Sequence, residues 1–433
     1  MDEKKMKCMD QDSQAVSVHF PRIMIAAEKS GGGKTLFTCA LLSLLKEKIQ
    51  EVRAFKCGPD YIDPMFHRTV LEIPSRNLDS FFADEDTLRY LLGREVLEME
   101  KFPESRIAVL EGVMGFYDGL GGVSERSSAW EVADLTDTPV ILLVDMKGRS
   151  LSALASIKGF LDYKEKSHVT GVIFNRLSPM LYPGLKERAE RELGIRVFGY
   201  VPELKDLTLE SRHLGLVMPE EIPGIRKRLD LIKEKVRVGI NLDGIIEEAG
   251  RAAEIEVKLP EAVRQFCNVD CGTGIKKTVV AVAKDEAFCF YYEDNLDILR
   301  KLGAEIQYFS PIHDRNLPVE TCAVYLGGGY PELHAKALSE NISMRNAIRQ
   351  AVMEEVPCIA ECGGYLYLKD SIVDPDGVEW PMAGGVAGRR PGTGEPWGVW
   401  VIFVFPKEKG TVWDWWTEIS VHQIHHPGLR GKR

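Results

Sequence analysis

Residues Ile23 to Thr35 read IMIAAEKSGGGKT, and they are followed directly by the amphipathic run LFTCALLSLLKEK. An apolar run of strand-forming residues enters a loop holding Gly31, Gly32 and Gly33, then Lys34 and Thr35, then a helix. Glycines let backbone N–H groups curl around phosphate oxygens at a helix N-terminus, the lysine reaches the β- and γ-phosphates, and the threonine hydroxyl suits Mg²⁺. The stretch therefore predicts a strand, a phosphate loop and a helix that together bind ATP. One position departs from the pattern G-x-x-x-x-G-K-[ST]: Glu28 stands where the first glycine belongs.

Working outward, residues 21–225 repeat a strand-then-helix pattern. IMIAA, VRAFKC, IAVLEGV, PVILLVD, VTGVIFN and VFGYV are continuous apolar runs, as strands buried on both faces of a parallel sheet must be. This order predicts a doubly wound α/β domain whose ligands lie at the carboxyl ends of the strands. Residues 226–276 read as a helical, charged linker. A second α/β pattern opens at Lys277 with TVVAVAKD, EIQYFSP, CAVYLGGG and PCIAEC as strands. Residues 1–20 read as a disordered tail with no apolar core of a secretory signal.

The chain has 433 residues, 45% of them hydrophobic and 28% charged, which fits two or three globular domains. A formal charge of -10 argues against a nucleic-acid partner. No apolar run approaches the ~20 residues that span a bilayer. Nine scattered cysteines suggest reduced thiols and a cytoplasmic setting. The one close pair, Cys267 and Cys271, has no second pair to complete a zinc site.

Acidic residues gather at the predicted strand ends. KCGPDYIDP carries Asp60 and Asp63 in a turn bracketed by prolines, where they suit either a shared Mg²⁺ or a helix cap. EGVMGFYDG carries Glu111 directly after an apolar strand, and Asp118 seven residues on. Four carboxylates facing one phosphate loop need a cation between them. Among nearby arginines, Arg76 in PSRNLD is the one expected to hold a substrate carboxylate, beside Tyr61.

KCGPDYIDPMFH, PSRNLDSFF, EGVMGFYDGLGG, GVIFNRLSPMLYP, LESRHLGL, LGGGYPELHA and IAECGGYLYL together resemble the cobyrinic acid a,c-diamide synthase family, from about residue 21 to 385. The resemblance implies a synthetase that activates the a and c side-chain carboxylates of a tetrapyrrole with ATP and amidates them with ammonia drawn from glutamine. It maps Asp60, Asp63, Glu111 and Asp118 onto the acidic synthetase site, with Thr35 and Glu111 as magnesium contacts. A homodimer is compatible with it.

In the second half, Cys362 follows the strand VPCIAE and precedes two glycines. Such a turn is expected to expose the sulfur, lower its pKa and aim N–H groups at an oxyanion. LGGGYPE, residues 326–332, would complete the oxyanion hole. The domain resembles a class I glutamine amidotransferase, in which the cysteine takes the glutamine acyl group. After Gly384 the likeness fades. VHQIHH offers His425, or His422, as the base of Cys362; the other reading is an incomplete C-terminal part, 385–433, with a poor glutaminase. The nickel sirohydrochlorin synthases share these motifs and stay open as an alternative. A partitioning-type ATPase switch is the distant one, since Lys29 is one place from the lysine such a switch carries and no basic amphipathic tail follows.

Overall fold

The computed structural model of the chain describes residues 15–98, 105–204, 211–212, 215–216, 222–261, 264, 278–385 and 401–404. It forms two compact units that divide between Arg264 and Gln265.

In chain order the first unit comprises β1 (Val16–Val18), β2 (Arg22–Ala27), α1 (Lys34–Lys46), β3 (Glu51–Cys57), α2 (Ile62–Met65), β4 (Ser75–Leu78), α3 (Glu85–Glu98) and β5 (Arg106–Glu111). There follow α4 (Ala129–Leu135), β6 (Val140–Asp145), α5 (Ser152–Asp162), β7 (Val169–Asn175), α6 (Tyr182–Leu193), β8 (Arg196–Val201), the short pair β9 (Ser211–Arg212) and β10 (Gly215–Leu216), α7 (Ile225–Gly239), α8 (Leu242–Gly250) and β11 (Ile255–Val257). Seven strands make one parallel sheet in the order β4-β3-β5-β2-β6-β7-β8. Every residue of β2 and β6 is buried, as the uninterrupted apolar runs require. The chain moves from β2 to one side of the sheet and returns to the other at β6. The crevice that such a reversal opens lies over the carboxyl ends of the central strands.

The alternation of strand and helix is as the sequence predicts, but three boundaries differ. Residues Val16–Val18 pair antiparallel with Ile255–Val257, and Phe20 is fully buried, so the end of the expected tail is part of the fold. The segment expected to be a linker instead adds α7, α8 and β11 to the first unit. Leu229, Ile232 and Val236 make a buried stripe along α7 at helical spacing, hidden in the sequence by the charges on its other faces. The edge strand β4 is a further addition, since SRNL lacks the apolar run that marks its neighbours.

The second unit contains β12 (Thr278–Ala283), β13 (Phe288–Phe290), α9 (Glu293–Lys301), β14 (Ala304–Phe309), β15 (Thr321–Leu326), β16 (Gly328–Gly329), α10 (Ala335–Glu340), α11 (Ile342–Met353), β17 (Cys358–Glu361), α12 (Gly363–Leu368), β18 (Ser371–Val373), β19 (Glu379–Pro381) and β20 (Val401–Val404). Its main sheet has the order β14-β12-β15-β17-β20. The first four strands are parallel, and β20 joins antiparallel on β17. Both units are thus α/β.

Candidate active site

The loop before α1 is shaped by its glycines. Gly31 and Gly33 have φ of +70° and +90°, in the left-handed region that other residues resist. A Cβ on Gly33 would lie 2.6 Å from Nδ2 of Asn175, which donates to the Gly32 carbonyl at 2.8 Å. No acidic side chain occupies the first turn of α1 and no side chain caps it, so the first amides of the helix have no acceptor from its own side chains. Glu28 is compatible with this loop because its carboxylate turns away, accepting from Arg149 Nη1 at 2.8 Å and from the Asp145 amide at 3.2 Å. Lys34 Nζ donates to the carbonyls of Met114 and, at 3.4 Å, Lys29. Burial, then repulsion from Lys56, brings the Lys34 ammonium down to about 8.

Strand register builds the acidic cluster. Lys56 of β3 stands opposite Glu111 of β5, one position from the carboxyl end of its strand. Asp63 enters from the first turn of α2, and Asp60 caps that turn, its Oδ1 accepting from the amides of Ile62 and Asp63 at 3.0 and 3.3 Å. Thr35 Oγ1 lies within donating distance of Glu111 Oε1, 2.7 Å, and Asp63 Oδ2, 3.1 Å. Lys56 Nζ reaches the same two oxygens, Asp63 Oδ2 in a short contact and Glu111 Oε1 at 3.2 Å, and lies 3.5 Å from Asp60 Oδ2.

Burial pushes the Glu111 carboxyl up, but the Lys56 ammonium and the neighbouring His67 ring outweigh it and hold Glu111 well below the usual carboxylate range. Asp63 is raised by burial and by Glu111. Burial pulls the Lys56 ammonium down, but Asp63, Glu111 and Asp60 outweigh it and hold its pKa above the usual lysine value.

His67 was not singled out by the sequence, yet it completes the cluster from behind. It is fully buried in a π-helical turn, Phe66–Val70, with Nε2 3.3 Å from Glu111 Oε2 and Nδ1 3.1 Å from Ser75 Oγ. Lys56 was missed as well. The signal for both was a basic residue inside an otherwise buried segment.

Other expected residues are placed differently. Asp118 stands apart from the cluster, its Oδ2 accepting from the Gly115 amide at 3.0 Å, close enough to Lys34 to favour that charge. Tyr61 lies partly buried between Asp60 and Asp63. Arg76 is not brought to the cluster. Alternation along β4 sends Ser75 and Asn77 to the side of His67 and the Gly58–Asp60 turn, and Arg76 to the other, where its Nε lies 2.6 Å from Glu95 of α3.

The oxygens of Thr35, Asp63 and Glu111 that converge here are hard donors, which fits a Mg²⁺ ion, while Glu111 Oε2 on the far side faces the His67 ring at 3.3 Å. Among the described residues, no three His, Cys, Asp or Glu side chains are spaced to hold a metal as they stand. The ammonium of Lys56 lies among the carboxylates. Beside the phosphate loop, a cavity of about 520 Å³ is lined by Lys147, Arg149, Ser150, Arg176, Leu177 and Ser178, among others. Arg176 ties it to the loop through the Gly31 carbonyl, 3.2 Å away.

In the second unit Cys362 sits between β17 and α12 with φ +48° and ψ −108°, a strained conformation of the kind found at nucleophile turns. Gly328 packs against it: a Cβ there would lie 3.5 Å from the Cys362 Cβ. A Cβ on Gly364 would meet the Leu326 carbonyl at 2.1 Å, so only glycine lets the helix approach β15 this closely. The expected lowering of the thiol pKa is not what the surroundings produce. Burial pushes it up to about 11, and the Gly363 amide offsets only part of that. His422 and His425 lie outside the described residues, as do Cys267 and Cys271.

Residues 23–217 match the CobQ/CobB/MinD/ParA nucleotide binding domain, and residues 279–390 match the CobB/CobQ-like glutamine amidotransferase domain. A cobyrinate a,c-diamide synthase from Thermoplasma volcanium is 39% identical over 85% of this chain and 77% of its own length. The chain belongs to the cobyrinate a,c-diamide synthase family. One from Priestia megaterium is 35% identical over the same shares, and one from Listeria innocua is 37% identical over 94% of this chain and 86% of its own length. Membership makes the first unit a nucleotide-binding domain and the second an amidotransferase domain. Among the described residues no helix is long and apolar enough to cross a membrane.

Proposed function

We propose that this chain is an ATP-dependent amide synthetase that converts the a and c side-chain carboxylates of cobyrinic acid into amides. The observation that carries the reading is the bonding of Thr35, from the phosphate loop, to Glu111, at the end of β5, and to Asp63, in the first turn of α2, which joins the nucleotide site to a cluster suited to a reacting carboxylate. A carboxylate at neutral pH resists nucleophiles. Its oxygen attacks the γ-phosphorus of ATP, the bond to the β-phosphate oxygen breaks, and ADP leaves an acyl phosphate. Ammonia then adds to the acyl carbon, phosphate departs with the C–O electron pair, and a proton is released to a nearby base.

In this scheme Gly31, Gly32, Gly33 and Lys34 cradle the phosphates, and the cavity beside Arg149 and Arg176 takes base and ribose. Thr35, Glu111 and Asp63 would hold Mg²⁺, whose chemistry is to neutralise the phosphate oxygens. Asp60 holds the turn that presents Asp63, and Asp118 stands by Lys34. Ammonia arises from glutamine at Cys362, with the Gly328–Gly329 segment beside the thioester carbonyl, or is taken up directly. Glutamine hydrolysis needs a base for a thiol raised this far, and His425 is the residue we assign to it.

Purified protein given ATP and cobyrinic acid, with ammonium or glutamine, is expected to form the diamide. The same assay with nickel sirohydrochlorin identifies the macrocycle. Amidation of the nickel compound alone would overturn the choice of cobyrinic acid, and no ATP-dependent amidation of either would overturn the reaction.

A further inference from the structure

Lys56 is a buried lysine whose ammonium is surrounded by oxygen. Its Nζ contacts Asp63 Oδ2, lies 3.2 Å from Glu111 Oε1, 3.4 Å from the Gly112 carbonyl and 3.5 Å from Asp60 Oδ2, and only 3% of the residue is exposed. The two closest carboxylate oxygens are also the two that Thr35 Oγ1 reaches. One positive charge thus occupies the point at which the phosphate-loop hydroxyl and the carboxylates of Asp63 and Glu111 converge. Lys34 is not in that position, because its own ammonium is engaged by the carbonyls of Met114 and Lys29. Lys56 comes from the strand next to Glu111, and the sheet register fixes its backbone opposite that residue.

We propose that the Lys56 ammonium is a built-in stand-in for the divalent cation, holding the metal position in the nucleotide-free protein so that metal enters only together with nucleotide. The inference rests on the reading of the first unit as a Mg²⁺–nucleotide site. Without an internal cation, Asp60, Asp63 and Glu111 would repel one another in a site with little water. With Lys56 in place a divalent ion meets like charge at contact distance and finds its ligands already engaged. Nucleotide phosphates change this balance, since they bring negative charge that can receive the displaced ammonium. The device keeps the acidic cluster assembled between turnovers without a resident metal.

The test is a titration of the full chain with Mn²⁺, with the free ion followed by electron paramagnetic resonance, in the presence and absence of a non-hydrolysable ATP analogue. The wild-type protein is expected to take up one Mn²⁺ only when the analogue is present. Lys56→Met, its fold checked by circular dichroism, is expected to bind Mn²⁺ without analogue at least about tenfold more tightly than wild type does, because the competing charge is gone. Equal Mn²⁺ affinity of the wild-type protein with and without analogue would overturn the proposal, and this arm decides even if the variant does not fold. A folded Lys56→Met protein with no gain in affinity would overturn it too. Wild-type protein that binds the analogue but takes up Mn²⁺ in neither condition removes the metal reading itself, and the proposal with it.

Discussion

The hydroxyl of Thr35 lies 2.7 Å from Oε1 of Glu111, although the two residues are 76 positions apart in the chain. This bond joins the first turn of α1 to the carboxyl end of β5. It is possible because β2, which leads into the phosphate loop, is the sheet neighbour of β5, with Ile25 opposite Glu111. The glycine-rich loop and Glu111 are therefore held by adjacent strands of one sheet.

Thr35→Ala removes that hydroxyl, and with it the metal contact proposed for it, with little change of packing. Mn²⁺–nucleotide affinity is expected to fall by on the order of tenfold to a hundredfold, as for lost partners of metal sites generally. Thr35→Ser should restore most of it. Equilibrium binding of a fluorescent ATP analogue in the presence of Mn²⁺ reads both variants, and an unchanged affinity in Thr35→Ala would remove the threonine from the site.

His67 supports Glu111 from the buried side and is linked to Ser75. Replacing it with Ala leaves the Ser75 hydroxyl and one Glu111 oxygen in the interior with fewer partners. The expected cost is about 1–3 kcal/mol of stability, seen as a lower urea midpoint for the first unit with an unchanged slope. A midpoint equal to wild type would mean that water replaces the ring without loss.

Cys362 yields a prediction about pH. Burial favours the neutral thiol and pushes its pKa up to about 11, so the thiolate fraction increases with pH throughout the neutral range. Alkylation of Cys362 by iodoacetamide, located by peptide mass spectrometry, should therefore accelerate about tenfold per pH unit between pH 7 and 10 without levelling off. A plateau already at pH 8 would contradict the raised pKa and show that the sulfur is already ionised in the resting protein.

Much of this architecture can be read from the sequence because burial on both faces writes itself as unbroken apolar runs, as in β2, β5, β6 and β7. The nucleotide loop and Cys362 are legible for a different reason: glycines are confined to a few conformations that the chain needs there. What is not legible depends on partners distant in sequence. β4 is a strand only because β3 lies beside it, and the ribbon of β1 with β11 joins residues more than two hundred positions apart. Arg76 looked suited to substrate, yet its neighbours Ser75 and Asn77 take the inward face and leave it with Glu95. Lys56 and His67 are not legible because a lone basic residue in a buried run gives no hint of which carboxylates will surround it.

If ATP activates a substrate carboxylate by phosphorylation, one oxygen of that carboxylate leaves with the phosphate. Cobyrinic acid labelled with oxygen-18 in its a and c carboxyl groups, amidated by this protein with ATP and ammonium, tests it directly. Carboxylate phosphorylation predicts one labelled oxygen in inorganic phosphate for each amide formed. Amide formed with no label in phosphate, or with the label in AMP, would contradict it.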